Sequence, residues 1–147
     1  MKIEHYQNKD ETEVLNIWLK ASEQAHAFAG VGFWCGLVED MRQVYLPRAR
    51  TWVCRDGGGV VGFACLVGEG ELAALFVAPE RQCEGIGTAL LDWVKEHCKG
   101  MLTVGVYEEN ARARAFYRRG GFEEIGSRDD ELTGSREYRM EWKREST

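Results

Sequence analysis

Three residue groups in this chain have types and spacings that could do chemistry. The first is Gln82-Cys83-Glu84-Gly85-Ile86-Gly87-Thr88, which follows an apolar strand candidate and a Pro and opens an amphipathic helical pattern. Small residues at 85, 87 and 88 leave backbone N–H groups uncovered at a helix start, where the helix macrodipole also favours an anion. That is a phosphate cradle. A Walker A loop would need GxxxxGK followed by Ser or Thr, and the sequence has no such run. A dinucleotide fingerprint would need GxGxxG in the first strand-to-helix turn, whereas Gly85-Ile86-Gly87 continues as Thr88-Ala89-Leu90 and follows a hairpin meander.

The second group is cationic: Arg112, Arg114, Arg118 and Arg119. It reads equally as a solvated helix face or as local help for a phosphate-bearing ligand. The third group is scattered. His26 stands beside aromatics and has an imidazole suited to proton relay near neutral pH, although a packing role is the more common one. Cys83 lies at a helix start, which lowers a thiol pKa, yet a small filler in a tight loop explains it better. His5 and His97 read as structural or exposed. The five Cys show no ligand-like spacing, so no metal site and no disulfide framework is expected.

The elements that must position these groups follow from periodicity. Residues 2 to 7 read as a short strand, and Asp10 with Glu13 as a capping-box start for a helix ending near Gln24. A loop is expected over 25 to 33, then a helix from Trp34 to Tyr45 closed by Pro47. Thr51–Cys54 and Val60–Val67 flank Asp56-Gly57-Gly58-Gly59 as an antiparallel hairpin, with Glu71–Val77 as the next strand of the meander. After the cradle helix, with Gly100 suited to its C-terminal cap, Met101–Tyr107 returns as a strand. A strand, a helix and a strand in that order make a right-handed crossover between parallel strands, with the anion site at the carboxyl end of the first. Ala111–Arg119 reads as a last helix, then 122 to 127 and 136 to 143 as strands around a polar turn.

A chain of 147 residues is expected to form one domain over 1–147. Its formal charge of −5 argues against a nucleic-acid surface. Neither a leader nor an apolar run near the ~18 residues of a membrane span is visible, so a cytoplasmic protein without membrane contact is expected.

The cradle gains meaning from a second motif, Asn110-x-x-Ala113-x-x-Phe116-Tyr117 followed by Gly121-Phe122. Together with Gln82-x-x-Gly85-x-Gly87, it resembles the GNAT superfamily of acyl-CoA-dependent N-acetyltransferases. The element order over most of the chain is also similar to that fold. Ile17-Trp18, His26-x-Phe28 and Ala74-Leu75-Phe76-Val77 further resemble the small bacterial members of the YjaB type. The resemblance implies an α/β (α+β) fold with a mixed sheet of about seven strands, about four helices, an N-terminal antiparallel meander and a central βαβ crossover.

It further implies acetyl-CoA as cosubstrate. Backbone N–H groups of Cys83, Glu84, Gly85, Ile86, Gly87 and Thr88 would hold the pyrophosphate, with Gln82 nearby. Val77 would pair its backbone with the pantetheine arm, the N–H of Leu75 would face the thioester carbonyl, and Asn110 would contact the arm from the neighbouring strand end. Cys83 stands where Gly is common, and Glu84 where a neutral or basic residue is usual. A carboxylate there should repel the pyrophosphate and weaken CoA binding without abolishing it, since exposed charges are screened within ~8 to 10 Å.

Acyl transfer to an amine needs a neutral nucleophile. A lysine-like amine of pKa ~10.4 is neutral about once in 2,500 molecules at pH 7, a deficit of roughly 4.6 kcal/mol. By resemblance Tyr117 is the general acid for the leaving thiolate, although packing on an amphipathic helix also accounts for it. Glu71, four residues before Leu75, matches a glutamate base of some family members, and His26 or a water chain is the alternative. Phe28, Phe33 and Trp34 in the 25 to 34 region would build the acceptor pocket, and an aromatic mouth suits a cationic amine. The expected function is therefore N-acetylation of a small-molecule or exposed protein amine by a monomer or homodimer, the last strand being able to pair across a dimer. The alternative is a non-catalytic acyl-CoA binding or sensing module.

Overall fold

The computed structural model describes residues 1–25, 37, 49–131 and 133–145. Among them, β1 (Lys2–His5), α1 (Glu11–Ala25), β2 (Arg50–Asp56), β3 (Gly59–Val67) and β4 (Glu71–Val77) form the first half. The second half is α2 (Ile86–His97), β5 (Met101–Tyr107), α3 (Ala111–Arg119), β6 (Glu123–Asp129) and β7 (Arg136–Lys143). The seven strands make one sheet in the order β1-β2-β3-β4-β5-β7-β6, and β4–β5 is its single parallel pairing. This is the mixed α/β architecture expected, with three α-helices among the described residues. Apart from Leu37, the helix expected over 34 to 45 lies outside them, as does most of the loop over 25 to 33.

Both faces of the sheet are covered, which is why β3 is apolar almost throughout. On one face Val14, Ile17 and Trp18 of α1 pack on Val53, Phe63 and Cys65. On the other, Leu90, Leu91 and Val94 of α2 and Tyr117 of α3 pack on Trp52, Leu66, Leu102 and Met140. Burial of a single such Leu or Val side chain contributes about 1.5–3 kcal/mol, so the two layers clamp the sheet from both sides.

Three expectations are corrected. The cap at α1 lies one turn earlier: the Asp10 carboxylate accepts from Gln7 N–H at 2.9 Å and from Arg55 Nη2 at 2.7 Å, while Glu13 accepts from Val60 N–H on β3 at 2.8 Å. Burial raises the pKa of Asp10, which is 1% exposed, but the Arg55 guanidinium and the Gln7 N–H outweigh it and hold the carboxyl below its ordinary value. The last strand is not an edge: β7 sits between β5 and β6, and its main chain is used on both sides, so it has no free edge to offer a second copy. Finally, α2 ends at His97, with Cys98 N–H donating to Val94 O, and Gly100 instead turns the chain into β5.

One irregularity positions everything that follows. Cys65 pairs with Ala74 but Leu66 pairs with Leu72, so Ala73 is an extra residue in β4. A bulge bends its strand and adds local twist. Consistent with this, β4 and β5 pair only at Glu71↔Thr103, beside a bond from Thr103 N–H to Gly70 O of 2.8 Å. Beyond that point the two strands separate.

Candidate active site between β4, α2 and α3

A cleft of about 740 Å³ opens where the strands part. Its floor is the end of β4, Leu75 to Val77, and its walls are the starts of α2 and α3. Ala21, Gln24 and Ala25 of α1 close one side. Ala78 N–H donates to Val61 O of β3 at 2.9 Å, so by strand alternation Phe76 N–H also faces β3 while those of Leu75 and Val77 face the opened side. β5 does not pair with them there. An edge of this kind accepts an extended amide-bearing chain through main-chain hydrogen bonds.

At the cradle, Gly85 is the N-cap of α2 with φ of 87°, a left-handed conformation that Gly adopts without the penalty other residues meet. It offers no side-chain cap, so the first N–H groups of α2 stay uncovered toward the cleft. Cys83 is also left-handed at φ 64°, without being Gly. A Cβ at Gly87 would sit 3.5 Å from the Phe116 ring and 3.7 Å from Val77, so the missing side chain keeps the centre of the cleft open. Gln82 Nε2 donates to Val77 O at 3.2 Å and to Gln24 Oε1 at 3.0 Å. The Gln82 amide thus occupies the carbonyl that a pantetheine amide would seek.

Glu84 is paired rather than bare beside the turn. Its carboxylate accepts from Arg81 Nε at 3.1 Å and 3.2 Å, and Arg81 Nη2 reaches Asp56 at 2.5 Å. Arg81 lines the cleft and the Glu84 side chain does not. Only the Glu84 backbone belongs to the cradle turn.

A family model described as "Acetyltransferase (GNAT) domain" matches residues 47–124. The peptidyl-lysine N-acetyltransferase YiaC of Escherichia coli is 29% identical over 95% of this chain and 95% of its own. The peptidyl-lysine N-acetyltransferase YjaB of Salmonella typhimurium is 31% identical, with 86% of each chain covered. The chain belongs to the GNAT acetyltransferase family. The solution structure of apo YjaB from Escherichia coli superimposes with a TM-score of 0.82, covering 96% of each chain at 26% identity. The PaiA N-acetyltransferase of Thermoplasma acidophilum, solved in complex with coenzyme A, has the same fold, with a TM-score of 0.78 at 17% identity and 97% and 99% of the chains covered.

As a GNAT acetyltransferase the protein is an N-acetyltransferase with acetyl-CoA as cosubstrate, which sets aside the non-catalytic binding module. The cleft fits that cosubstrate: an uncapped helix start for a pyrophosphate adjoins unpaired strand peptides for an amide-bearing arm. Asn110 serves first as a cap, its Oδ1 accepting from Ala113 N–H at 3.1 Å, while the residue also lines the cleft. Tyr117 is the inward member of the aromatic pair. It is 6% exposed, lies edge-on to Phe116 and Phe122 at 5.1 Å and 5.2 Å, and is not in the cleft lining, whereas Phe116 is. Burial pushes its phenol pKa well up. Glu71 stands exposed at the closed end of the splay, away from the lining.

His26, Phe28, Phe33 and Trp34 lie outside the described residues. Sequence reasoning missed Ala21, Gln24 and Ala25 as cleft residues. The small pair Ala21 and Ala25, four apart on one helix face, was the available signal; Gln24 meets Gln82 across 58 positions and left none. No helix among the described residues is long and apolar enough to cross a membrane, and none of them cluster as a metal site.

Proposed function

We propose that this enzyme, acting as one domain, acetylates the side-chain amine of lysine in a peptide or protein by direct attack on the thioester. The observation that carries the reading is the splay itself: unpaired peptides of Leu75 and Val77 lie beside the uncapped start of α2. The Leu75 N–H then receives the thioester oxygen as it gains charge, the Val77 peptide aligns the pantetheine arm once the Gln82 amide turns away, and N–H groups from Cys83 to Thr88 hold the pyrophosphate. The two curated relatives above support lysine as the acceptor.

In the reaction the amine nitrogen forms a bond to the acyl carbon, the C–S bond breaks, the ammonium proton passes to a base and the thiolate takes up a proton. Tyr117 is the proton donor. It is buried behind the Phe116 wall, gives its phenol proton to the thiolate as the C–S bond breaks, and regains a proton from solvent afterwards. Glu71 is about 13 Å along β4 from Leu75, which makes it a base that works through water. His26, next in sequence to the cleft residue Ala25, is the other base. Phe28, Phe33 and Trp34 would line the acceptor side.

The test is release of free CoA from acetyl-CoA with lysine peptides, with the product site mapped by mass spectrometry. Turnover on a lysine side chain is expected, together with a loss of on the order of a hundredfold or more in Tyr117→Phe at unchanged CoA affinity. Full turnover by Tyr117→Phe would remove that assignment. Acetylation confined to small amines would remove the peptide acceptor.

A further inference from the structure

The four arginines of α3 divide into two pairs. Arg114 and Arg118 both bind the Glu124 carboxylate on β6, the first at 3.1 Å, and Arg114 also stacks over the Tyr138 ring at 4.3 Å. Arg112 and Arg119 line the cleft instead, and among the described residues neither meets a carboxylate. Arg112 contacts only neutral atoms, Gln82 Oε1 at 3.5 Å and Cys83 Sγ at 3.4 Å, which sets it against the cradle turn. Arg119 lies seven residues on, on the same helix face and about 10 Å further along the axis. In a chain of net charge −5, two guanidinium groups without counter-charges on one cleft wall are placed for an anion with two separated negative centres.

The arrangement of the helices says where the second centre lies. Gly87 of α2 faces Phe116 of α3, and one turn later Leu91 faces Gly120, whose carbonyl also accepts from Lys95 Nζ at 2.5 Å. The two helices therefore run side by side in the same direction. Thr88, Ala115 and Arg119 of these two helices line the same cleft as Leu75, and both helices run away from the cradle turn at which α2 starts. An acyl donor whose thioester lies at Leu75 and whose pyrophosphate lies at the start of α2 has its nucleotide on the far side of the pyrophosphate from the thioester, where the cleft wall offers Arg119. In CoA this part carries a third phosphate, on the ribose 3′ oxygen.

We infer that Arg119 is a specificity residue that reads the 3′-phosphate of the acyl donor, separating CoA from its dephosphorylated form, while Arg112 serves the pyrophosphate. The inference rests on the CoA site described above. It is tested by calorimetric titration of CoA and of dephospho-CoA into the wild type, Arg119→Gln and Arg118→Gln, so the readout is binding and not turnover. The wild type is expected to favour CoA by about fivefold, the upper end for an exposed charge pair. Arg119→Gln should bind both ligands alike, at the wild-type affinity for dephospho-CoA. Arg118→Gln should keep the preference, since its charge is committed to Glu124.

A preference retained in Arg119→Gln overturns the assignment. So does an equal loss for both ligands, which marks a general charge or folding effect. Wild-type protein that binds neither ligand would instead overturn the CoA site, and the inference with it.

Discussion

Two helices start at the rim of the cleft, and they start differently. α3 follows β5 and is capped by its own Asn110, whose oxygen takes up the Ala113 N–H. α2 follows β4 and begins at Gly85, which makes no side-chain cap bond to its first turn. A cap satisfies the orphan N–H groups from within the protein and stabilises the helix by about 1 kcal/mol. Leaving them bare forgoes that stability and keeps a preorganised anion site instead. Of two similar helix ends at one cleft, only α2 leaves its first N–H groups without a side-chain cap, which is why the proposed pyrophosphate site lies there.

The sharpest way to break this contrast is to fill the open end. Gly87→Leu would place a side chain between Phe116 and Val77, and turnover with acetyl-CoA should fall on the order of a hundredfold while the melting transition stays cooperative. Binding at wild-type strength would show that the start of α2 is not the site. The capped end should behave in the opposite sense. Asn110→Ala is expected to lower stability by about 1 kcal/mol in denaturant titration, with Asn110→Asp recovering most of it.

A smaller effect tests the guard on the open end. Arg81→Ala releases Glu84 beside the cradle, and CoA affinity should weaken about threefold at low salt, recovering when Glu84→Gln is added or salt is raised. Glu84→Gln alone should move affinity by less than about twofold, because the carboxylate is exposed, screened and already paired with Arg81.

The smallest expected effect concerns acid. Hydrogen bonds from Arg114 and Arg118 hold the Glu124 carboxyl below its ordinary value, so the tie between α3 and β6 is fully present above the unfolded pKa. It is lost as pH falls through the folded one. Amide exchange in α3, corrected for intrinsic rates, should quicken relative to α2 only below about pH 4.

Much of the frame was legible because it is locally encoded. β5 and α3 fall on the expected residues, 101–107 and 111–119, since alternation, a polar cap and a Gly-Gly stop act within a few positions. The uncapped start of α2 was legible for the same reason: small residues at a helix start are a local statement about uncovered N–H groups. The caps show the boundary of this reasoning. Asp10 and Glu13 have the spacing of a capping box, yet Arg55 and Val60, more than forty positions away, claim both carboxylates. The partner of Glu84 was likewise not legible: Arg81 pairs with it and with Asp56, which the hairpin turn brings in from 25 positions away.

By itself the sequence determined the order of elements, the small-residue start of α2, the Asn110 to Tyr117 motif and, through their combination, the acetyltransferase family. Only the tertiary structure decided that a bulge at Ala73 parts β4 from β5, that β7 is an inner strand and that Tyr117 rather than Phe116 turns inward. It also decided which two arginines of α3 pair with Glu124 and which two line the cleft without meeting a carboxylate among the described residues. The physical reason is range. Helix starts, turns and periodicity are fixed by neighbours along the chain, whereas ion pairing, burial and strand separation depend on groups that meet only after the sheet has closed.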